Sequence, residues 1–148
     1  MNLKVRQGSR ICAMQLLYSR EVGGEDVSGT QDIAMEILPL EEADSAYLES
    51  VLGGVEAHKE EIDEAISRYA KGWKIDRLPK VDLAILRLGI FELNWRDDIP
   101  TGATMDECVE MAKRYSTPES GAYINGILAS VLKEKQSGDS GQTDPAEA

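Results

Sequence analysis

A chain of 148 residues with 42% apolar content has the size of one domain and enough apolar side chains for a core. Its net charge of −11 excludes a general nucleic-acid-coating role. The start, Met1 to Lys4, lacks the apolar run of a secretion signal, and Cys12 and Cys108 share no CxxC spacing, so both are expected to be reduced thiols in a cytoplasmic protein.

In chain order the pattern reads as helix after helix, with no sustained period-two alternation. A first helix over residues 3 to 22 carries Ile11, Met14, Leu17 and Tyr18 as its apolar stripe and stops at Gly23 and Gly24. A polar loop to Thr30 precedes a short helix over residues 33 to 38, which Pro39 breaks. A third helix begins near Glu41 with Ala46, Leu48, Val51 and Leu52, until Gly53 and Gly54 weaken the pattern. A fourth takes Ile62, Ile66, Tyr69 and Ala70 and ends at Gly72. Residues 73 to 79 then connect to the most apolar stretch of the chain. From Val81 to Trp95 only Asp82, Arg87, Glu92 and Asn94 are strongly polar. A helix apolar round most of its circumference is a central one, covered on several sides, and this one is too short and too charged to span a bilayer.

Two further helices follow. Thr104 and Glu107 have capping-box spacing ahead of Cys108, Val109 and Ala112. Thr117, Pro118 and Glu119 combine an N-cap, a first-turn proline and an acid at the positive helix end, before a stripe of Ile124, Ile127, Leu128 and Val131. After Lys135 the chain becomes QSGDSGQTDPAEA, expected to be a disordered tail over residues 136–148.

The charge is uneven. Residues 1 to 20 hold Lys4, Arg6, Arg10 and Arg20 and no acid, whereas residues 41 to 64 hold nine acids against Lys59. Arg6 and Arg10 are spaced i, i+4 and share a helix face that continues into the core positions Met14 and Leu17. They are therefore expected at a rim, where guanidinium groups suit phosphate or carboxylate contact. Solubilising a frayed helix end is the equal alternative, and Gly8 weakens that turn. No catalytic motif, phosphate-cradling glycine loop or clustered metal ligands appear, and the one histidine, His58, sits among acids as a surface residue. The weight falls on binding rather than catalysis, with no cofactor and no metal.

Three blocks in order carry a resemblance. They are Arg10 through Tyr18 (RICAMQLLY); Val81 through Leu93 with Arg96 to Pro100 (RDDIP); and Met105 through Tyr115 with Ser120 and Ile124 to Leu128. Together they resemble the NusB family of transcription antitermination factors. The resemblance implies an all-α bundle of about seven helices in two packed helical subdomains, as a single RNA-binding domain over residues 1–135. It implies binding of boxA single-stranded RNA together with NusE, a small-subunit ribosomal protein, within an RNA polymerase antitermination complex that reads through terminators in ribosomal RNA operons. By position, the RNA site carries to Arg6, Arg10, Tyr18, Glu119, Ser120 and Tyr123, with Lys113 and Arg114 as neighbouring basic candidates. The NusE face carries to Asp82, with Arg87 and Glu92. Gln7, Gly8 and Ser9 replace the dense arginine run that many relatives have between these N-terminal positions. The alternative is a NusB-like protein-interaction module or homodimer with little RNA binding.

Overall fold

The computed structural model describes residues 3–22, 44–72 and 74–143. Among them are six α-helices and no strand: α1 (Leu3–Val22), α2 (Ser45–Ala57), α3 (Lys59–Tyr69), α4 (Lys80–Trp95), α5 (Thr101–Tyr115) and α6 (Pro118–Thr143), with a 3-10 turn at Ile75–Arg77 before α4. The short helix expected over residues 33 to 38 lies outside the described residues, as do the stop at Gly23 and Gly24, the start near Glu41, and residues 144–148.

α4 is the axle of the fold. It packs against each of the other five helices, and residues 82–93 are buried without interruption. That burial explains why its apolar residues show no single stripe: every face has a neighbour. α5 and α6 pack on one another and on α4, while α1 packs on α4 and α2.

α2 starts where Asp44 accepts the Tyr47 backbone N–H through Oδ1 at 3.1 Å, an N-cap bond. It buries Tyr47, Val51 and Val55, so the inward face is one position round from the expected Leu48 and Leu52, which are half-buried. The helix runs through Gly53 and Gly54 rather than weakening there. At Gly54 a Cβ would lie on the Phe91 ring of α4, whereas at Gly53 it would meet nothing within 4 Å. Gly54 is thus what lets α2 approach α4. Gly53→Ala is expected to stabilise the protein by about 0.5–1 kcal/mol through helix propensity, and Gly54→Ala to destabilise it by about 1–3 kcal/mol through overpacking. Urea melts of the two variants check this, and shifts of the same sign would contradict the α2–α4 packing.

The capping box at Thr104 is corrected. The chain leaves α4 through a tight turn in which Ile99 N–H bonds the Arg96 carbonyl at 3.1 Å, and Ile99 is buried. α5 therefore begins at Thr101, one turn early, which carries Thr104 into the interior, fully buried. The start of α6 is as expected: Ser120 N–H bonds Thr117 Oγ1 at 3.0 Å. α6 continues past Lys135 to Thr143. Lys135 Nζ closes the end of α4 by bonding the Leu93 carbonyl at 2.7 Å. Gln136 and Ser137 beyond it are exposed. His58 is half-buried rather than a surface residue, stacked on Trp95 with centroids 3.9 Å apart.

Candidate nucleic-acid interface

Arg10 is not at a rim. The stripe of α1 does not run off the body, because Gly8, Ser9 and Arg10 are themselves buried against its neighbours. Arg10 Nε and Nη2 grip the carboxylate of Glu92 at 2.9 and 3.0 Å. Glu92 is 1% exposed and also accepts the Thr104 hydroxyl at 2.7 Å and the Tyr47 hydroxyl. Burial alone would lower the pKa of Arg10, but the bond to Glu92 and its charge raise it above the ordinary value. Burial, with the Glu92 charge added, pushes the Tyr47 phenol well up. This set of four side chains from α1, α2, α4 and α5 holds a desolvated ion pair in which both Glu92 oxygens accept hydrogen bonds. Arg10 and Glu92 are thus interior partners of one another, where a rim position was expected for Arg10.

Arg87 is likewise a buried ion-pair partner. It binds Asp63 of α3 through Nε and Nη2, both at 2.9 Å, and Glu21 of α1 at 2.6 Å. The hydrogen bond from Arg87 lowers the pKa of Glu21. A carboxylate with a depressed folded pKa contributes stability that is present above its unfolded pKa, about 4.3, and is lost as pH falls through the folded value. Parent and Glu21→Gln should therefore differ in stability at pH 6 and converge as pH drops well below about 4. Urea midpoints measured across that range check it, and a gap that persists at low pH would contradict the Glu21–Arg87 linkage.

Around the start of α4 and the start of α6 the structure brings four of the candidates together. Asp82, Glu119, Ser120 and Tyr123 line a pocket of about 340 Å³ with Leu78 and Pro79. Ser120 Oγ donates to Asp82 Oδ2 at 2.8 Å and lies 3.0 Å from Thr117 Oγ1. Asp82 is buried, although acid chemistry in an apolar run suggested a rim. Asp82 Oδ1 and the Tyr123 hydroxyl are buried with no hydrogen-bond partner among the described residues. Burial raises the Tyr123 pKa, and the charge of Asp82 adds to it. Glu119 is exposed at the positive end of α6.

Of the basic candidates, Lys113 and Arg114 end α5 beside the start of α6, whereas Arg6 lies by Tyr47 and Arg96 at the other end of α4. Lys113 and Arg114 are exposed on the last turn of α5. The Lys113 side chain packs beside Gly121 of α6, and the Arg114 guanidinium lies over the Tyr115 ring at 5.4 Å. Tyr18 is half-buried against the core. Arg6 is half-buried with its guanidinium 5.0 Å from the centroid of Tyr47. Arg96, not among the sequence candidates, lies 5.9 Å from the same ring and forms a two-bond pair with Asp98 at 2.9 and 2.8 Å. That bond holds Asp98 down to about 2. No group of three or more His, Cys, Asp or Glu side chains that could hold a metal occurs among the described residues.

The NusB family model matches residues 7–133. The chain belongs to the NusB family. The transcription antitermination protein NusB of Acetivibrio thermocellus is 46% identical over 130 residues, covering 88% of this chain and 90% of that protein. The NusB of Thermobifida fusca is 40% identical over 89% of this chain and 92% of its own length. A crystal form of T. maritima NusB superposes with a TM-score of 0.72 at 38% identity, covering 87% of this chain and 91% of that one. A crystal structure of the antitermination factors NusB and NusE in complex with double-stranded RNA also matches. It has a TM-score of 0.72 at 26% identity and covers 90% of this chain and 99% of its counterpart.

Within this NusB-family fold most of the candidates fall into two classes that the sequence could not separate, while Asp82 and Ser120 are buried and hydrogen-bonded to one another. Arg10, Arg87 and Glu92 are interior ion-pair partners. Arg6, Lys113, Arg114, Glu119 and Tyr123 retain exposed or half-exposed surface. Tyr47, Thr104 and Arg96 were missed. Tyr47 had a signal, since it shares the i, i+4, i+8 stripe with Val51 and Val55. Thr104 was read as a cap, a role that fits the same residue type.

Proposed function

We propose that the chain is a transcription antitermination protein that binds boxA-type single-stranded RNA together with NusE, the small-subunit ribosomal protein. The observation that carries this reading is similarity over 90% of this chain to a NusB whose crystal structure holds both NusE and double-stranded RNA. In this reading the RNA runs across Arg6 and Tyr18 of α1 and the start of α6, with Glu119, Ser120 and Tyr123, while Lys113 and Arg114 add basic charge at the end of α5. Asp82 belongs to the NusE side, and the described helices include none long and apolar enough to cross a membrane. The action is placed in the cytoplasm, where transcription occurs, with binding and not catalysis as the working chemistry.

The chemistry is consistent with assisted binding. A net charge of −11 opposes RNA approach, so this chain alone should bind weakly and gain affinity when a basic partner supplies charge and contact area. In fluorescence anisotropy with a boxA RNA and NusE, log affinity should fall with log salt by about 0.7 per phosphate contacted. Lys113→Ala should flatten that slope by about one contact's worth. Tyr123→Ala should cost about 1–3 kcal/mol with little change in slope, because stacking on a base releases no counterions. If neither variant alters affinity or slope, RNA does not cross this face.

A further inference from the structure

We propose that Tyr47 is a positioning residue for RNA recognition: its ring holds the Arg6 guanidinium, with that of Arg96 alongside, in the orientation that engages the RNA backbone. The inference rests on the reading of Arg6 as an RNA contact and extends it to a residue that touches no RNA. Tyr47 is 1% exposed, so its role runs through the side chains laid on its ring. Arg6 and Arg96 lie 5.0 and 5.9 Å from the ring centroid, inside the range where a ring quadrupole attracts a cation.

The ring is itself fixed from below. Its hydroxyl donates to Glu92, which Arg10 and Thr104 hold in place. A phenol anchored in the core at one end and presenting its ring to two cations converts a rigid interior into a placed surface charge. Arg96 is locked by Asp98 and by Ser50 at 3.0 Å, so one member of the pair is already immobile. Bringing two guanidinium groups to one ring costs repulsion, which the neighbouring carboxylates offset. Arg96 and, less strongly, Arg6 both depress the Asp98 pKa, and the Glu92 charge adds to the rise at Arg96.

The arrangement answers a local problem in α1. Gly8, two residues after Arg6, weakens the turn that carries it, and an arginine loses substantial side-chain entropy when it binds. Stacking uses the face of a guanidinium, whereas anions bind along its edge, so the ring contact and a phosphate contact are compatible.

The test compares rings of equal size and different electrostatics. The variants are Tyr47→Phe, pentafluorophenylalanine placed at position 47, Arg6→Ala, and Arg6→Ala combined with the fluorinated ring. Each is titrated with a boxA RNA in the presence of NusE over a range of salt. Tyr47→Phe keeps the ring, and Glu92 keeps Arg10 and Thr104 as donors, so it folds and should bind within about twofold of the parent. The fluorinated ring should lower affinity about two- to fivefold, the size of an exposed cation–π contact. It should also flatten the salt slope by about 0.7, as Arg6→Ala does, and the combined variant should lose no more than Arg6→Ala alone. The proposal is overturned if the phenylalanine and fluorinated proteins bind alike while Arg6→Ala binds weakly, or if the two losses multiply. If Arg6→Ala binds as the parent does, the reading of Arg6 fails and Tyr47's role fails with it. Absence of any RNA binding by the parent with NusE would instead strike the functional reading itself.

Discussion

Arg10→Ala is expected to destabilise the protein by about 3–5 kcal/mol, the cost of breaking a buried ion pair from one side. The substitution leaves the Glu92 carboxylate, 1% exposed, with the Tyr47 and Thr104 hydroxyls as donors and without the cation that pairs with it. Removing both charges is a milder change, because no uncompensated ion remains. The double variant Arg10→Met, Glu92→Leu should therefore lose less than the sum of the single variants. It should not return to parental stability, since the hydroxyls of Tyr47 and Thr104 would be left buried without an acceptor. Urea unfolding of the three variants measures this coupling. A loss below about 0.5 kcal/mol for Arg10→Ala, a surface-site value, would mean that Arg10 is at the rim after all.

Leu88→Ala and Ile85→Ala are expected to cost about 2–5 kcal/mol each. Both side chains are fully buried on the axial helix, and α4 has a neighbour on every side. A cavity there has no solvent-facing flank into which the surroundings can relax, so the lost packing is only partly recovered. Equilibrium denaturation is again the measurement. Losses under about 0.5 kcal/mol at both positions would remove α4 from the centre of the fold.

Much of the fold was legible because α-helical signals are local. The span of α1, the Thr117–Pro118 start of α6 and the central position of α4 all follow from residues within a turn or two of one another. What could not be read was which face of a helix meets which neighbour. Leu48 and Tyr47 are adjacent, and Tyr47 turns inward on the face that brings Gly54 against Phe91 and its own hydroxyl to Glu92. The candidate site shows the same limit more sharply. Arg6 and Arg10 are alike in type and share a helix face, yet Arg10 meets an acid 82 positions away and Arg6 an aromatic ring. Glu92 and Arg87 stood out as charges in an apolar helix. Such charges announce either a partner or a buried counter-ion, and in both cases here the counter-ion comes from a different part of the chain. Asp82 falls between these outcomes, buried beside Ser120 but lining an open pocket.

The central claim is that this NusB-family chain acts on RNA jointly with NusE. Its most direct test is the mass, by native mass spectrometry, of the species formed when the protein, NusE and a boxA RNA are mixed at equal concentration near physiological salt. The account predicts one complex holding one copy of each component, with the protein–RNA pair scarce when NusE is left out. A protein–NusE pair that excludes RNA, or a homodimer that ignores both additions, would contradict it.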